Sequence, residues 1–277
     1  MIDPMIDVDA ILERLGLGAR PAPDLDGLAR VYLAWCRNVP FDNVVKRVHM
    51  ASGDTGPIPN GPPDAFFDWY LRHGTGGTCW PSANALHALL VGLGFDARRG
   101  SAAMADSKID GEYAHSHGTT LVRVDGTDHW VDTSMLTDRV LPLARGATTS
   151  IPGPVHPLRA EPVGDRWRVW WEPGPRGQEM SCLLLSADTT SEHYLARYEF
   201  SRGWSPFNLW VHAVRNTERG RLTLTNGTRY ERRADGGDTR ALDVGDRTKV
   251  LVEEFGYSEE IVARLPPDEA PPVPSKS

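Results

Sequence analysis

The hydrophobic pattern of the chain changes its period at Gly94, and this change limits the fold to one with helical and β-sheet parts in succession. Before Gly94, apolar residues recur at helical spacing, as at Val8, Ile11, Leu12 and Leu15. After Gly94, short apolar runs are separated by turn residues, which is typical of strands. We therefore predict N-terminal helices, then an antiparallel β region, and then a smaller segment of strands followed by helices.

Caps and turn residues divide these parts further. Residues 7–50 are predicted to be helical with an interruption at 39–43, residues 51–63 to be a Gly- and Pro-rich loop, and Asp64 to cap a short helix. The predicted strands cover residues 97–104, 119–124, 129–132, 166–171, 182–185, 209–214, 221–226 and 228–232. The predicted C-terminal elements are helices at 249–255 and 257–265 and a disordered Pro-rich tail at 266–277.

Charge and cysteine content narrow the class of protein. The net charge of −7 argues against nucleic acid or an anionic membrane as the main partner. Three cysteines at irregular spacing do not form a disulfide framework and favour a reducing compartment. The sequence has no run of about 18 apolar residues and no basic leader before an apolar stretch. We therefore expect a cytoplasmic protein.

Cys79 follows the Gly-rich turn Gly76-Gly77-Thr78 and precedes a helical pattern. Pro81 is tolerated only in a first helical turn, so Cys79 is expected at or just before the N-cap of a helix. The free N–H groups and the positive dipole end at that position favour a thiolate, which attacks carbonyl carbon. Cys79 is therefore the candidate nucleophile, whereas Cys36 and Cys182 are expected to be core residues.

A nucleophilic thiol needs a base and a group that orients the base. If Asp125-Gly126 is a two-residue hairpin turn, His117 and Asp132 lie on one face of the hairpin, and a four-residue loop gives the same parity. His115 shares that face but lies further from Asp132, and His129 faces away. We predict that His117 is the base and that Asp132 orients it.

A zinc site built from His115, His117 and Cys79 is the metal alternative. It lacks the paired-Cys or HExxH spacing that zinc sites show, so we predict no metal.

The chain resembles the arylamine N-acetyltransferases over nearly its whole length. The resemblance rests on residues 11–17, the segment Val39-Pro40-Phe41-Asp42-Asn43, the Cys79 turn, His117, Trp130-Val131-Asp132, and residues 141–143 and 220–226 in this order. It implies an α+β fold with a helical bundle, a β-barrel and a C-terminal α/β lid around a papain-like active site. It also implies a Cys79–His117–Asp132 triad, a ping-pong mechanism, acyl-coenzyme A as a co-substrate that is not permanently bound, and an amine acceptor such as an arylamine.

On this basis we predict three domains: a helical domain with the nucleophile at 1–95, a β-barrel with the histidine and aspartate at 96–200, and the lid with its tail at 201–277.

Several residues depart from the family pattern. Thr75 replaces an arginine before the two glycines, Pro81 replaces a glutamate, and Asn84 stands one position late. Residues 133–137 replace a Gly-rich loop that helps the family receive coenzyme A. Three alternatives therefore stay open: a cysteine hydrolase or transglutaminase-like enzyme, an amide synthase of specialised metabolism with a non-coenzyme A donor, and a binding protein that kept the pocket and lost the reaction through the changes at Thr75 and Pro81.

Overall fold

A computed structural model describes residues 6–153, 155, 157–171 and 179–269 of the 277-residue chain. Among these residues, no helix is long and apolar enough to cross a membrane.

The N-terminal part is helical, as the periodicity predicts. Its helices are α1 (Val8–Arg14), α2 (Leu25–Asn38), α3 (Val44–Ala51), α4 (Pro63–His73) and α5 (Cys79–Gly92). Asp7 and Asp24 cap α1 and α2 by accepting the backbone N–H groups of Ala10 and Gly27. The Trp35 ring lies at the centre of their core, 6.0 Å from Phe66 and 6.2 Å from Phe67 between ring centroids.

The second part is a nearly closed antiparallel barrel of eight strands. Its strands are β2 (Asp96–Met104), β5 (His117–Val124), β6 (Thr127–Val131), β7 (Leu141–Pro142), β8 (Thr149–Ile151), β9 (Leu158–Val163), β10 (Arg166–Trp171) and β11 (Met180–Ser186). The order is β7-β6-β5-β2-β11-β10-β9-β8. The outermost strands meet where Thr149 Oγ1 donates to the Pro142 carbonyl at 2.5 Å. The short hairpin β3 (Lys108–Ile109) and β4 (Glu112–Tyr113) follows β2.

The β5–β6 hairpin has the predicted register. Val124 pairs with Thr127, and Thr120 pairs with Val131. Asp125 and Gly126 both have positive φ, 49° and 76°, which is the backbone that a two-residue turn between twisted strands requires. The parity argument for His117 and Asp132 therefore applies to the observed strands.

The C-terminal part combines strands with short helices. It contains α6 (Ser191–Phe200), β12 (His212–Asn216), β13 (Gly220–Thr225), β14 (Thr228–Arg233), β15 (Gly236–Ala241), α7 (Val244–Lys249), a π-helical turn (Val250–Glu254) and α8 (Glu259–Ala263). The two-residue strand β1 (Phe41–Asp42) joins this sheet in the order β1-β12-β13-β14-β15. The pairing of β1 with β12 brings Asp42 from the helical part to the C-terminal sheet.

Several details differ from the sequence predictions. Neither α6 nor β15 was predicted, and β12 begins at His212 rather than at residue 209. The helix expected over 249–255 is divided between the end of α7 and the π-helical turn. The start of the predicted tail is held by hydrogen bonds, because Arg47 donates to the Pro267 carbonyl and to Asp268. Residues 270–277 of that tail lie outside the described residues, and the domain boundaries after residues 95 and 200 stay a prediction.

Candidate active site

Cys79 is the first residue of α5, and Thr78 is its N-cap, so the thiol lies one position further into the helix than the position of Pro81 predicts. Its side chain is partly exposed, whereas Cys36 and Cys182 are fully buried. Burial raises the pKa of both the Cys36 and the Cys182 thiol, so those two sulfurs stay protonated. Cys79 is the cysteine that is open to a substrate.

The turn before Cys79 is fixed by hydrogen bonds on both sides of Gly76. The Gly76 N–H donates to Asp42 Oδ2 at 2.7 Å, and the Gly76 carbonyl accepts from Asn60 Nδ2 at 3.0 Å. The next carbonyl, that of Gly77, accepts from the Asp42 N–H and from Ser82 Oγ. A Cβ atom at Gly76 would lie 1.8 Å from the Pro40 carbonyl oxygen, so only glycine fits there.

Asp42 is a buried carboxylate that links three segments of the chain. Its oxygens accept the N–H groups of Gly76 and Val44 and the hydroxyl of Tyr257. Burial raises the pKa of Asp42 to about 6, and these three hydrogen bonds oppose the rise. The carboxylate thereby couples the nucleophile turn to α3 and to the C-terminal part of the chain.

His117 and Asp132 form a buried pair on the barrel. His117 Nε2 lies 2.7 Å from Asp132 Oδ2, and both side chains are almost inaccessible to solvent. The other carboxylate oxygen, Asp132 Oδ1, accepts the N–H groups of Ser134 and Met135 at 2.9 and 3.0 Å. The Asp132 carboxylate is thus held at both oxygens.

The electrostatics of this pair favour its charged form. Burial alone would lower the pKa of His117, but the charge and hydrogen bond of Asp132 raise it well above its ordinary value. Burial alone would raise the pKa of Asp132, but His117 and the two N–H groups hold it below its ordinary value. The contact therefore stabilises an imidazolium beside a carboxylate.

Cys79 is the third member of the group and lies close enough to His117 to act on its pKa. The sulfur contributes to the raised pKa of His117 both as a hydrogen-bond partner and as a negative charge. Since Nε2 faces Asp132, Nδ1 is the ring nitrogen left for the thiol. The three residues singled out from the sequence therefore meet at one place, between the start of α5 and the barrel.

The two rival histidines are engaged elsewhere. His115 Nδ1 lies 2.7 Å from Ser101 Oγ, and its ring contacts that of His193. His129 pairs with Val122 within the hairpin, at a position whose parity places it on the face opposite to Asp132. In the described part of the chain, no group of three or more His, Cys, Asp or Glu side chains could hold a metal ion.

The loop after Asp132 is held by residues that the sequence analysis did not identify. The Tyr32 hydroxyl donates to the Asp132 carbonyl at 2.8 Å, and Arg221 donates to the carbonyls of Met135 and Leu136. Tyr32 and Arg221 are both buried. Each is about 85–100 positions from its partner in sequence, so no local pattern could have revealed the contact.

Helix α6 packs beside Cys79. Tyr194 and Tyr198 lie in the buried cluster of Ile58, Trp80 and Ala83, against which Cys79 packs. The Tyr198 hydroxyl donates to Asn60 Oδ1 at 2.8 Å and so supports the amide that holds Gly76.

Lys46 lies under the same helix. Its ammonium group donates to Ser201 Oγ at 2.7 Å, and burial lowers the pKa of Lys46 to about 8 although a negative charge at Cys79 opposes the shift.

Comparisons with known proteins agree on one family. A family model described as N-acetyltransferase matches residues 24–261. The arylamine N-acetyltransferase of Mycolicibacterium smegmatis is 28% identical over 166 residues, which cover 57% of this chain and 55% of that protein. The proansamycin X synthase of Amycolatopsis mediterranei (strain S699) is 26% identical over 128 residues, 46% of this chain and 48% of that protein. The chain thus spans about half the length of the curated relatives it matches.

Solved structures are similar over almost the whole chain. The arylamine N-acetyltransferase from M. tuberculosis superimposes with a TM-score of 0.78 at 20% identity, covering 95% of this chain and 96% of that one. The Mycobacterium marinum enzyme in complex with CoA gives 0.78 at 19% identity, covering 94% of this chain and 98% of that one. These likenesses confirm the predicted fold of helices, barrel and mixed C-terminal segment.

Proposed function

Because the chain belongs to the N-acetyltransferase family, we propose that it moves an acyl group from an acyl-coenzyme A thioester to an amine through an acyl-enzyme on Cys79. The observation that carries this proposal is the His117–Asp132 contact of 2.7 Å, together with the effect of the nearby Cys79 sulfur on the pKa of His117. The M. marinum relative was solved in complex with CoA, which supports this class of donor. Arylamines are the acceptor class that the relatives' names indicate.

In the first half-reaction, the Cys79 thiolate attacks the thioester carbonyl carbon. We expect the backbone N–H groups at the start of α5 to stabilise the oxyanion that forms. The bond to the coenzyme A sulfur then breaks, and the departing thiolate takes the proton from the His117 imidazolium. An S-acyl cysteine and a neutral imidazole remain.

In the second half-reaction, an amine attacks the acyl carbon and its proton passes to His117. The bond from the acyl carbon to Cys79 breaks, which restores the thiolate and the imidazolium together with an amide product. Asp132 keeps the ring oriented through its Oδ2 and stabilises the charge that His117 gains. The sequence of steps is ping-pong because the first product leaves before the amine reacts.

Intact-mass analysis after mixing with acetyl-coenzyme A tests the proposal. The wild-type protein should gain one acetyl group, Cys79→Ala should gain none, and the matched variant Cys182→Ala should behave like the wild type. An arylamine should then remove the adduct and appear as its N-acetyl derivative. Acylation of Cys79→Ala, or release of free acetate at a rate that added amine does not change, would contradict acyl transfer and would favour the hydrolase.

A second candidate, an amide synthase with a non-coenzyme A donor, is favoured by one observation. Residues 133–137 stand where the family's Gly-rich loop helps to receive coenzyme A, and here Tyr32 and Arg221 fix that loop to the core. The test compares acetyl-coenzyme A with the acetyl thioester of N-acetylcysteamine, which has no nucleotide. A rate advantage for coenzyme A supports the first candidate, and equal rates support the second.

A further inference from the structure

Helix α6 packs beside Cys79 through Tyr194 and Tyr198, and it carries a guanidinium group that has no counter-ion among the described residues. Arg197 is half-buried, and its Nε atom is buried without a hydrogen-bond partner. Its contact is with the Phe200 ring, whose centroid lies 4.8 Å from the guanidinium carbon. Among the residues that the structure describes, no carboxylate lies within ion-pair distance of Arg197.

The position of Arg197 follows from its neighbours on the helix. It lies between Tyr194 and Tyr198, whose rings belong to the buried cluster that Cys79 contacts. One helical turn earlier, the His193 ring is 5.7 Å from the ring of Trp80, the residue that follows Cys79. His193 Nε2 is also buried without a partner. Two unpartnered nitrogen-bearing side chains thus lie one turn apart, at i and i+4, on the helix that packs against the start of α5.

Arg197 carries the positive charge on this part of α6, whereas the neighbouring rings of His115 and His193 favour their neutral form. Burial lowers the pKa of His115 and His193, and the positive charge of Arg197 lowers both further. Burial also lowers the pKa of Arg197, while a negative charge at Cys79 raises it. A partly desolvated cation costs free energy unless an anion accompanies it. The site is therefore complementary to an anion that arrives with the substrate.

We propose that Arg197 binds a carboxylate that one of the two substrates carries close to its reacting centre. The proposal rests on the proposed acyl transfer through Cys79 and names its substrate class. Either source supplies the same chemistry: the far carboxylate of a dicarboxylic acyl group, or the ring carboxylate of an aminobenzoate acceptor. A planar guanidinium pairs with a carboxylate through two parallel hydrogen bonds. The phosphates of coenzyme A do not suit this position, since the whole pantetheine arm separates them from the thioester carbonyl.

The first experiment needs no acyl transfer. Cys79 is alkylated with iodoacetate, which has a carboxylate, and with iodoacetamide, its neutral counterpart, and the ratio of the two rate constants is measured. Arg197→Gln should lower this ratio about tenfold, since a hydrogen-bonded ion pair is worth about one power of ten or more. Arg197→Lys should restore part of it. Arg72→Gln removes an exposed arginine that is paired with Asp68 on α4, and this control should leave the ratio unchanged. A ratio that is equal in wild type and Arg197→Gln would overturn the proposal.

The second experiment identifies the source of the carboxylate. Succinyl- and acetyl-coenzyme A are compared as donors, and 4-aminobenzoate and aniline as acceptors, in wild type and Arg197→Gln. If Arg197→Gln loses only the preference between the two donors, the carboxylate that Arg197 binds belongs to the acyl group. If it loses only the preference between the two acceptors, the carboxylate belongs to the amine. If Arg197→Gln slows acetyl-coenzyme A but not the acetyl thioester of N-acetylcysteamine, the cation serves the phosphates and the proposal is wrong. If no donor acylates wild-type Cys79, the proposed function fails, while the alkylation ratio still decides the anion site.

Discussion

The two walls that meet at Cys79 differ in how their polar groups are satisfied. On the nucleophile side, the N–H and the carbonyl of Gly76 both have buried partners, Asp42 and Asn60. On the α6 side, the Nε of Arg197 and the Nε2 of His193 are buried without one. The backbone groups of Gly76 are thus satisfied within the protein, although Thr75 Oγ1 beside them is buried without a partner among the described residues. On α6, by contrast, the guanidinium of Arg197 is the group that we propose to pair with a substrate carboxylate. The comparison separates residues expected to change the rate from residues expected to change substrate choice.

The largest expected effect is on the rate of Cys79 acylation, and it comes from replacing His117. His117→Gln should slow acylation of Cys79 about 10³-fold, roughly 4 kcal/mol, because the thiol loses its proton acceptor and Asp132 loses its charged partner. A time course of intact mass with acetyl-coenzyme A measures the rate. His129→Gln, on the same hairpin but on its other face, is the matched control and should stay within a few-fold of wild type. Equal losses in the two variants would mean that the hairpin's stability, and not the imidazole, sets the rate.

The second effect is a pH dependence of the protein's free energy of unfolding that arises from the Asp42 carboxyl. The pKa of this carboxyl is raised by burial to about 6, so the folded state holds the proton more tightly than the unfolded state. Its contribution is fully present below the ordinary value of 3.8 and is lost as the pH rises through about 6. From pH 4.5 to pH 7, the free energy of unfolding of the wild type should fall by about 2 kcal/mol relative to Asp42→Asn. Urea unfolding at both pH values measures this difference, and a constant or opposite difference contradicts it.

Contacts that are local in sequence were predicted from residue patterns. Of those that join distant segments, the meeting of Cys79 with His117 was expected from the base that a thiol needs and from the family resemblance, and the others were not predicted. The His117–Asp132 pair could be predicted because a two-residue turn fixes the parity of a hairpin. The partners of Gly76 could not, since Asp42 is 34 positions away and nothing in the sequence near Gly76 depends on it.

Helix α6 was missed for a different reason. Its buried residues are Tyr194 and Tyr198, two hydroxyl-bearing rings one turn apart, and this is too little for a helical stripe. The exposed strand β15 has no alternation to detect at all. Helix α6 was therefore a further part of the candidate site that the sequence did not predict.

A third effect is a loss of stability around Trp80, whose ring packs between Gly118 of the barrel and Tyr194 of α6. A Cβ at Gly118 would lie 2.6 Å from Trp80 Cε3, and the Trp80 ring packs on Tyr194 of α6 with centroids 5.0 Å apart. Gly118→Ala should lower the free energy of unfolding by about 1.5 kcal/mol, since the ring must shift. Gly203→Ala has no atom within 4 Å of the new Cβ and is the control. Thermal or urea unfolding compares the two, and a similar loss in both would show that Trp80 can move without cost.

The smallest expected effect tests whether the C-terminal segment, through Tyr257, stabilises the Asp42 carboxylate that holds Gly76. Tyr257→Phe removes the hydroxyl that donates to Asp42 Oδ2 at 2.9 Å, and should cost about 1 kcal/mol of stability at pH 7. This hydrogen bond lowers the pKa of Asp42, so its loss should also move the pH dependence described above to higher pH. Unfolding measured across pH 5 to 8 separates the two contributions. If the cost is the same at every pH, the hydroxyl stabilises the fold without acting on the Asp42 charge. If the cost grows as Asp42 ionises, the C-terminal segment stabilises the carboxylate that holds Gly76, and so contributes to the position of the nucleophile.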